Sequence, residues 1–263
     1  MTKKQKRITA AAVLLAAAVC AGVLIPALYS RSQLAKLQEQ PLSMPEGFRI
    51  TAHTGCLGTK QNTLESLQTA LDSGAGTVEF DIRFRADGTP VLSHDALKGD
   101  DQSPLLADAF ALIAQTENIT VNLDLKQTDH LPEIARLGKA AGILDRLFFT
   151  GVSLADTEKV ARKCPEIPYY LNVSPDLMQK DNDAYWRQVA DQIRLCGAIG
   201  INCEYKAASE TLVRVMHEQG LLVSFWTVDR RLPMARVALL GPDNITTREP
   251  VALRELLAEW AAQ

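Results

Sequence analysis

The sequence lacks several motifs that would assign it to a common enzyme class. It contains no G-x-S-x-G segment, which weakens a reading as an α/β-hydrolase. It also contains no G-x-G-x-x-G segment and no Walker loop, so nucleotide binding has no support. The net charge is only -3, and Lys and Arg form no run outside the extreme N-terminus. The charge pattern therefore gives no sign of a nucleic-acid partner.

Cysteines are also few. The chain of 263 residues has five of them, and the four that follow the N-terminal segment are irregularly spaced, at Cys56, Cys164, Cys196 and Cys203. They include no metal-binding pair, and four cysteines in a domain of this size are not a disulfide scaffold. The sequence does not decide whether two of these cysteines form a disulfide.

A long uncharged segment near the N-terminus predicts a membrane anchor. Four basic residues precede a run from Ile8 to Tyr29 that is long enough to cross a hydrocarbon core of about 30 Å. A cleaved signal peptide has a shorter apolar region, so we interpret the run as uncleaved. The positive-inside rule keeps the N-terminus in the cytoplasm and places the main domain outside the cell membrane. The predicted organisation is a basic segment at 1–7, a single-pass transmembrane anchor at 8–30, a polar linker at 31–47 and a barrel domain at 48–263.

The remainder of the chain alternates short apolar runs with amphipathic stretches. Leu64, Leu67 and Leu71 show the spacing of a helix, and Asn62 and Glu65 have the spacing of its N-cap and capping-box partner. Eight strands alternating with helices favour a (β/α)₈ TIM barrel over the alternative, an open doubly wound sheet. The candidate strands are Phe48–His53, Thr77–Arg83, Thr120–Lys126, Arg146–Thr150, Pro168–Val173, Ala198–Cys203, Leu221–Val228 and Asn244–Thr247.

The second candidate strand carries two carboxylates on one face. Glu79 and Asp81 are separated by Phe80, and side chains alternate along a strand, so the two acids point the same way. Inside a barrel mouth, two unpaired carboxylates are costly to desolvate. A divalent cation between the two carboxylates would offset this desolvation cost. Carboxylate oxygens are ligands that favour Mg²⁺ or Ca²⁺. The alternative is an edge strand whose acidic residues face water.

The third candidate strand has the same alternation. Asn122, Asp124 and Lys126 share one face, which makes Asp124 a third candidate ligand for the metal. Lys126 is a candidate for neutralising an anionic substrate. The alternative is a salt bridge between Asp124 and Lys126 inside the barrel.

Two of the four histidines lie where a barrel enzyme has its active site. His53 ends the first candidate strand. The Asp87-Gly88 turn predicts a hairpin that returns His94 to the carboxyl end of the second strand. A histidine pair supplies an acid and a base near neutral pH. We interpret the other two, His130 and His217, as structural.

These segments, in this order, resemble the glycerophosphodiester phosphodiesterase family over about 48–250. The resemblance implies a metal-dependent TIM-barrel enzyme that acts on small phosphodiesters or lipid headgroups. The segments that carry it are His53-Thr54-Gly55, Lys60-Gln61-Asn62-Thr63, Glu79-Phe80-Asp81, Asp87-Gly88, His94-Asp95, Asp124-Leu125-Lys126, Trp226-Thr227-Val228 and Gly241 through Pro250.

The resemblance also implies roles for individual residues. His53 and His94 would act as base and acid. One divalent cation, Mg²⁺ or Ca²⁺, would be held by Glu79, Asp81 and Asp124. The substrate-binding residues would be Lys126 at the phosphate, Trp226 as an apolar wall for the glycerol and Thr54. In the reaction usually proposed for the family, a glycerol hydroxyl attacks phosphorus, the alcohol leaves, and a cyclic phosphate is then hydrolysed.

Four substitutions and a short segment distinguish this chain from the family pattern. Thr54 replaces a phosphate-binding Arg, Gln61 an acidic residue, Asp124 a Glu, and Arg248 an Asp. A threonine hydroxyl brings neither the charge nor the paired donors of a guanidinium. The segment between His94 and the third strand is short, which predicts an open site.

Three functional hypotheses follow. The first is metal-dependent hydrolysis of glycerophosphodiesters, including lipid headgroups or lysophospholipids near a membrane. The second is a lyase similar to the sphingomyelinase D group, which also has an Asp-x-Lys pair and would form cyclic phosphates from lysophospholipids. The third, motivated by Thr54 and Gln61, is a non-catalytic barrel that binds a phosphorylated ligand.

Overall fold

The computed structural model describes residues 26–262. The chain divides into two compact units, with the boundary between Leu42 and Ser43. In the first unit, residues 26–38 form helix α1, so the first part of the predicted linker at 31–47 is helical. Most of the predicted anchor at 8–30 lies outside the described residues. Within residues 26–262, none of the helices combines the length and the apolar character needed to cross a bilayer.

The second unit is a barrel of eight parallel strands, with one additional antiparallel strand. The strands are β1 (Arg49–Ala52), β2 (Thr77–Phe84), β3 (Pro90–Leu92), β4 (Thr120–Leu125), β5 (Leu147–Val152), β6 (Tyr169–Asn172), β7 (Gly200–Glu204), β8 (Leu222–Trp226) and β9 (Asn244–Thr247). Strand β3 pairs antiparallel with β2, and the other eight pair in parallel. Because β1 pairs with both β2 and β9, the sheet closes on itself, which excludes the open doubly wound alternative.

Helices follow the strands around the barrel. They are α2 (Leu64–Asp72), α3 (Leu106–Ile113), α4 (Leu131–Ala140), α5 (Thr157–Lys163), α6 (Asp183–Leu195), α7 (Glu210–Glu218), α8 (Arg231–Ala238) and α9 (Pro250–Ala261). The eight predicted strands are confirmed, and the observed bounds differ from the predicted ones by no more than about two residues at either end, the range expected when strands are assigned from sequence alone.

Strand alternation separates the apolar core from the polar interior of the barrel mouth. Phe80 and Leu123 are buried, while the residues that flank them in the chain, such as Asp81 and Asp124, turn to the opposite face. The predicted hairpin is confirmed, because β2 and β3 pair from Ile82 to Leu92. Past its end, the backbone N–H of Ser93 donates to the carbonyl of Asp81 at 3.0 Å.

The predicted N-cap of α2 is wrong by one residue. The cap is Thr63, whose side chain accepts a hydrogen bond from the backbone N–H of Ser66 at 3.1 Å. Asn62 has a left-handed φ of 56° and uses its side chain elsewhere. The sequence allowed a disulfide between two of the four cysteines of this unit. The structure shows none, because all four are free thiols: Cys56, Cys164, Cys196 and Cys203.

Candidate active site

Polar side chains of the second unit line a cavity of about 580 Å³ at the carboxyl ends of the strands. This is the end of a TIM barrel at which active sites are built, because the loops that follow the strands converge there. The lining includes His53, Gln61, Glu79, Asp81, His94, Asn122, Asp124, Lys126, Thr150, Asn172, Asn202, Trp226, Thr246 and Arg248. Seven of the eight predicted site residues are therefore brought together, and Thr54 is outside the lining.

The three predicted carboxylate ligands converge. Asp81 on β2 is in register with Asp124 on β4, and Glu79 lies two residues earlier on the same face. One oxygen from each of the three carboxylates lies within 4.8 Å of the other two. Burial raises the pKa of Glu79 well above its usual range, and the charges of Asp81 and Asp124 raise it further. A set of hard oxygen donors that repel one another in a buried position fits a divalent cation.

Lys126 lies against the same carboxylates. Its Nζ is 2.6 Å from Oδ2 of Asp124 and 3.0 Å from Oδ1 of Asp81. Burial opposes the charged form of Lys126, but the two carboxylates outweigh it and raise the pKa above its ordinary value. The salt bridge that the sequence left as an alternative is therefore present. An ammonium has three donors, and the two carboxylates use two of them.

His53 is held in one orientation by its own loop. Its Nδ1 lies 2.7 Å from the carbonyl oxygen of Thr54, and a carbonyl can only accept, so Nδ1 carries the proton. The neutral ring then has its lone pair on Nε2. Burial lowers the pKa of His53 below its ordinary value of 6.5, although the Thr54 carbonyl opposes the shift, and the charge of Arg248 lowers it further. A partly buried neutral imidazole is suited to accepting a proton.

His94 is more exposed than His53 and has an acidic partner. Its Nδ1 is 2.9 Å from Oδ1 of Asp95, and its backbone carbonyl accepts a hydrogen bond from Nε of Arg83 at 2.9 Å. The hydrogen bond from His94 lowers the pKa of Asp95, so this carboxylate is charged at neutral pH. The two histidines line the same cavity but differ in exposure, because His53 is partly buried and His94 is exposed beside Asp95.

The geometry gives no support to the substrate-binding role predicted for Thr54. Its side chain is buried, and Oγ1 accepts the backbone N–H of Asn62 at 2.6 Å. Its backbone N–H donates to Oε2 of Glu79 at 2.9 Å. Thr54, which does not line the cavity, therefore helps to orient the carboxylate of Glu79. Trp226, in contrast, lines the cavity and is partly exposed, at 38%.

Sequence reasoning missed two groups that support the carboxylates. The Asn62 side chain bonds to Asp81, and Oγ1 of Thr150 donates to Oδ1 of Asn122 at 2.8 Å or to Oδ1 of Asp124 at 3.1 Å. The signal for Thr150 was available, because it extends the pattern of polar residues at alternate strand positions to the next strand. Asn62 had no such signal, since it lies in a loop.

The two histidines interpreted as structural lie away from the cavity lining. His130 packs against Phe84 with ring centroids 5.5 Å apart. Nε2 of His217 is 2.8 Å from Oδ2 of Asp243. Both contacts are of the ordinary packing or hydrogen-bonding kind, which agrees with their predicted structural role.

The fold and the cavity together define a TIM-barrel enzyme with acid–base groups beside a cluster of carboxylates. The sequence profile of the glycerophosphoryl diester phosphodiesterase family matches residues 52–108 and 100–252. The chain belongs to this family, and its enzyme class is that of a phosphoric diester hydrolase. Among curated proteins, no significant match is found.

Solved structures of other family members share the fold. A glycerophosphodiester phosphodiesterase from Parabacteroides distasonis is 21% identical with a TM-score of 0.68, covering 82% of this chain and 99% of its own. A phosphodiesterase from Oleispira antarctica, solved with the product sn-glycerol-3-phosphate, is 20% identical with a TM-score of 0.65, covering 82% and 97%. A glycerophosphodiester phosphodiesterase from Thermotoga maritima is 20% identical with a TM-score of 0.59, covering 80% and 98%.

Proposed function

We propose that this chain hydrolyses glycerophosphodiesters to an alcohol and glycerol phosphate, with His53 as the base and His94 as the acid. The observation that carries the proposal is the convergence of both imidazoles and three carboxylates on one cavity of about 580 Å³. The volume of this cavity is within the usual range for sites that bind small molecules. The Oleispira antarctica relative, solved with sn-glycerol-3-phosphate, supports a glycerol phosphate as the ligand class.

We propose that Glu79, Asp81 and Asp124 hold one divalent cation, Mg²⁺ or Ca²⁺. The support is the chemistry of the donors, since hard oxygen ligands select these cations over softer transition metals. When bound, the cation supplies positive charge that stabilises developing charge on the phosphoryl oxygens. Asp124 and Asp81 are also paired with Lys126, whose remaining donor is available for a phosphate oxygen.

The first chemical step uses the histidines in opposite directions. Nε2 of His53 takes the proton from a glycerol hydroxyl of the substrate, whose oxygen forms a bond to phosphorus. The bond between phosphorus and the alcohol oxygen breaks, and the electron pair leaves with that oxygen. His94, whose Nδ1 pairs with Asp95, donates a proton to it. The products are a free alcohol and a cyclic phosphate.

The second step reverses these roles. His94, now neutral, accepts a proton from a water molecule that attacks the cyclic phosphate, and His53 returns its proton to the departing glycerol oxygen. The atoms balance as the addition of one water across the original phosphodiester bond. Trp226, which is partly exposed in the cavity wall, provides an apolar surface for the carbon side of the glycerol.

We also propose that residues 8–30 anchor the chain in the cell membrane, with the barrel on the outer side. The support is the charge asymmetry around the uncharged run from Ile8 to Tyr29. Such an anchor would hold the site near lipid headgroups. Reporter fusions after Met1 and Gln263 test the topology, and protease access to both ends from one side of the membrane would contradict it.

The activity is tested with the full-length chain, a glycerophosphodiester such as glycerophosphocholine, and Mg²⁺ or Ca²⁺. The expected result is release of the alcohol and glycerol phosphate, abolished in His53→Ala and retained in the control His130→Ala. Phosphorus NMR follows the product, and a cyclic phosphate that persists would replace hydrolysis with the lyase reaction. Absence of turnover on every glycerophosphodiester tested would overturn the proposal in favour of a non-catalytic barrel.

A further inference from the structure

A guanidinium lies in the cavity wall next to the base. Arg248 directly follows β9, the strand that pairs with β1, and His53 directly follows β1. Both side chains line the cavity. Arg248 is thus a cation in the wall of the same cavity as the proposed base.

The position of Arg248 is fixed by its backbone and by Asp229. Its carbonyl accepts the N–H of Leu57 at 2.9 Å, and its own N–H donates to Oδ1 of Asp229 at 2.8 Å. The second oxygen of Asp229 accepts Nη1 of Arg248 at 3.1 Å. Asp229 is not among the residues that line the cavity. Its carboxylate therefore fixes the guanidinium through Nη1 without occupying the cavity wall.

The other donors of Arg248 remain available to a ligand. A guanidinium has five N–H donors, and among residues 26–262 only Asp229 accepts from one of them. The side chain is 36% exposed, so it faces solvent in the cavity without being fully hydrated. Its planar fork matches two oxygens of a phosphate, which an ammonium does not.

The charge balance of the cavity calls for such a group. A phosphodiester is an anion, and it must approach the carboxylates of Glu79, Asp81 and Asp124. Lys126 already donates to two of these carboxylates. Thr54 brings no charge, and its hydroxyl is buried against the backbone of Asn62. Arg248 is therefore the cavity-lining cation with the most unused donors in the described part of the chain.

We propose that Arg248 is a substrate-binding residue that donates to the non-bridging oxygens of the phosphoryl group. Its location beside His53 brings the phosphorus near the base, so the same contact orients the attack. The alternative is a salt bridge with Asp229 that only closes the rim between β9 and β1. The kinetic part of this inference rests on the proposed function, but binding of a phosphate does not require turnover.

Calorimetric titration of the full-length chain with sn-glycerol-3-phosphate, at saturating Mg²⁺, separates the two roles. Arg248→Ala is expected to weaken binding roughly tenfold to hundredfold, the loss of a charge-assisted hydrogen bond. Arg248→Lys keeps the charge and a bond to Asp229, and should lose less. The matched control is Arg231→Ala, which removes an exposed ion pair with Glu259 (2.5 Å) elsewhere on the barrel and should bind as the wild type does.

A second readout guards against misfolding. Added guanidinium ion is expected to restore part of the affinity of Arg248→Ala, which a broken rim contact would not allow. Wild-type affinity in both Arg248 variants would overturn the proposal, as would a wild-type chain that does not bind sn-glycerol-3-phosphate. A wild-type chain that binds it through Arg248 but turns over no phosphodiester would contradict the proposed function and support the binding role.

Discussion

The side-chain amide of Asn62 forms two hydrogen bonds with Asp81. Nδ2 donates to Oδ2 of Asp81 at 2.7 Å, and Oδ1 accepts the backbone N–H of Asp81 at 3.0 Å. Both residues are buried. The amide therefore fixes the orientation of one carboxylate in the acidic cluster. Removing a group that orients a metal ligand through hydrogen bonds typically lowers metal affinity by about 10–100-fold.

Asn62→Gly should therefore weaken cation binding with little effect on the fold. Glycine accepts the left-handed φ of 56°, so the backbone is preserved while both hydrogen bonds are lost. Titration with Mg²⁺ or Ca²⁺ is expected to show affinity reduced by roughly ten times or more. Asn118→Gly is the matched control, because Asn118 has a φ of 60° but is exposed. Equal cation affinity in the two variants would rule out this role for Asn62.

Gly151→Ala should disturb the acidic cluster from the neighbouring strand. A Cβ at this position would lie 2.5 Å from Oδ1 of Asp124 and 2.5 Å from the carbonyl of Leu125. Gly151 also has a φ of 74°, which costs about 1–2 kcal/mol for alanine. The expected result is loss of most cation binding in addition to a lower melting temperature.

The control for Gly151→Ala is Gly142→Ala. Gly142 has a similar φ of 70°, but a Cβ there would meet nothing within 4 Å. Both variants carry similar backbone strain, so a difference in cation affinity comes from the steric contacts with Asp124 and Leu125. If the two variants bind the cation equally well, Asp124 does not form part of the metal site.

The sequence was sufficient to predict the barrel and the position of the carboxylates. The alternation around Phe80 determines that Glu79 and Asp81 share a face, and parallel register then brings Asp124 beside them. The spacing of Asn62 and Glu65 predicted an N-cap, but Asn62 bonds across the loop to Asp81 and Thr63 caps the helix instead. Contacts that loop residues make with residues far apart in the chain, such as those of Asn62 and Asp229, leave no periodic signal in the sequence.

The position of Lys126 predicts its effect on stability. Lys126→Met removes the cation that neutralises Asp81 and Asp124, so the chelated protein should melt at a lower temperature than the wild type. A bound cation takes over that neutralisation, and its stabilising effect should therefore be larger in the variant. Differential scanning calorimetry with and without Mg²⁺ measures both shifts. Lys159→Met, which removes an exposed pair with Asp129, is the control.

In that control, the shift of the melting temperature caused by Mg²⁺ should equal the wild-type shift. A Lys126→Met variant whose Mg²⁺-induced shift is smaller than that of the wild type would show that Lys126 does not compete with a cation for these carboxylates.

The environment of His53 predicts the acidic side of the pH–rate profile. Burial, and then the charge of Arg248, disfavour the imidazolium, so the pKa of His53 lies below 6.5 and the ring stays neutral to lower pH. Because the base must be neutral, kcat/KM should fall only as the pH drops below about 6.5, with the midpoint on the acidic side of the reference value. Arg248→Gln removes a positive charge that lowers this pKa and should move the midpoint upward. A wild-type midpoint above 6.5 would exclude His53 as the base.

The three converging carboxylates are expected to make phosphodiester hydrolysis dependent on a divalent cation. The most direct measurement is the release of glycerol phosphate by the full-length chain after treatment with a chelator, followed by titration with Mg²⁺ or Ca²⁺, alongside Asp124→Asn. The chelated enzyme should be inactive, the cation should restore turnover, and the variant should require a higher cation concentration. Turnover at the same rate in the chelated and the cation-loaded enzyme would contradict this dependence.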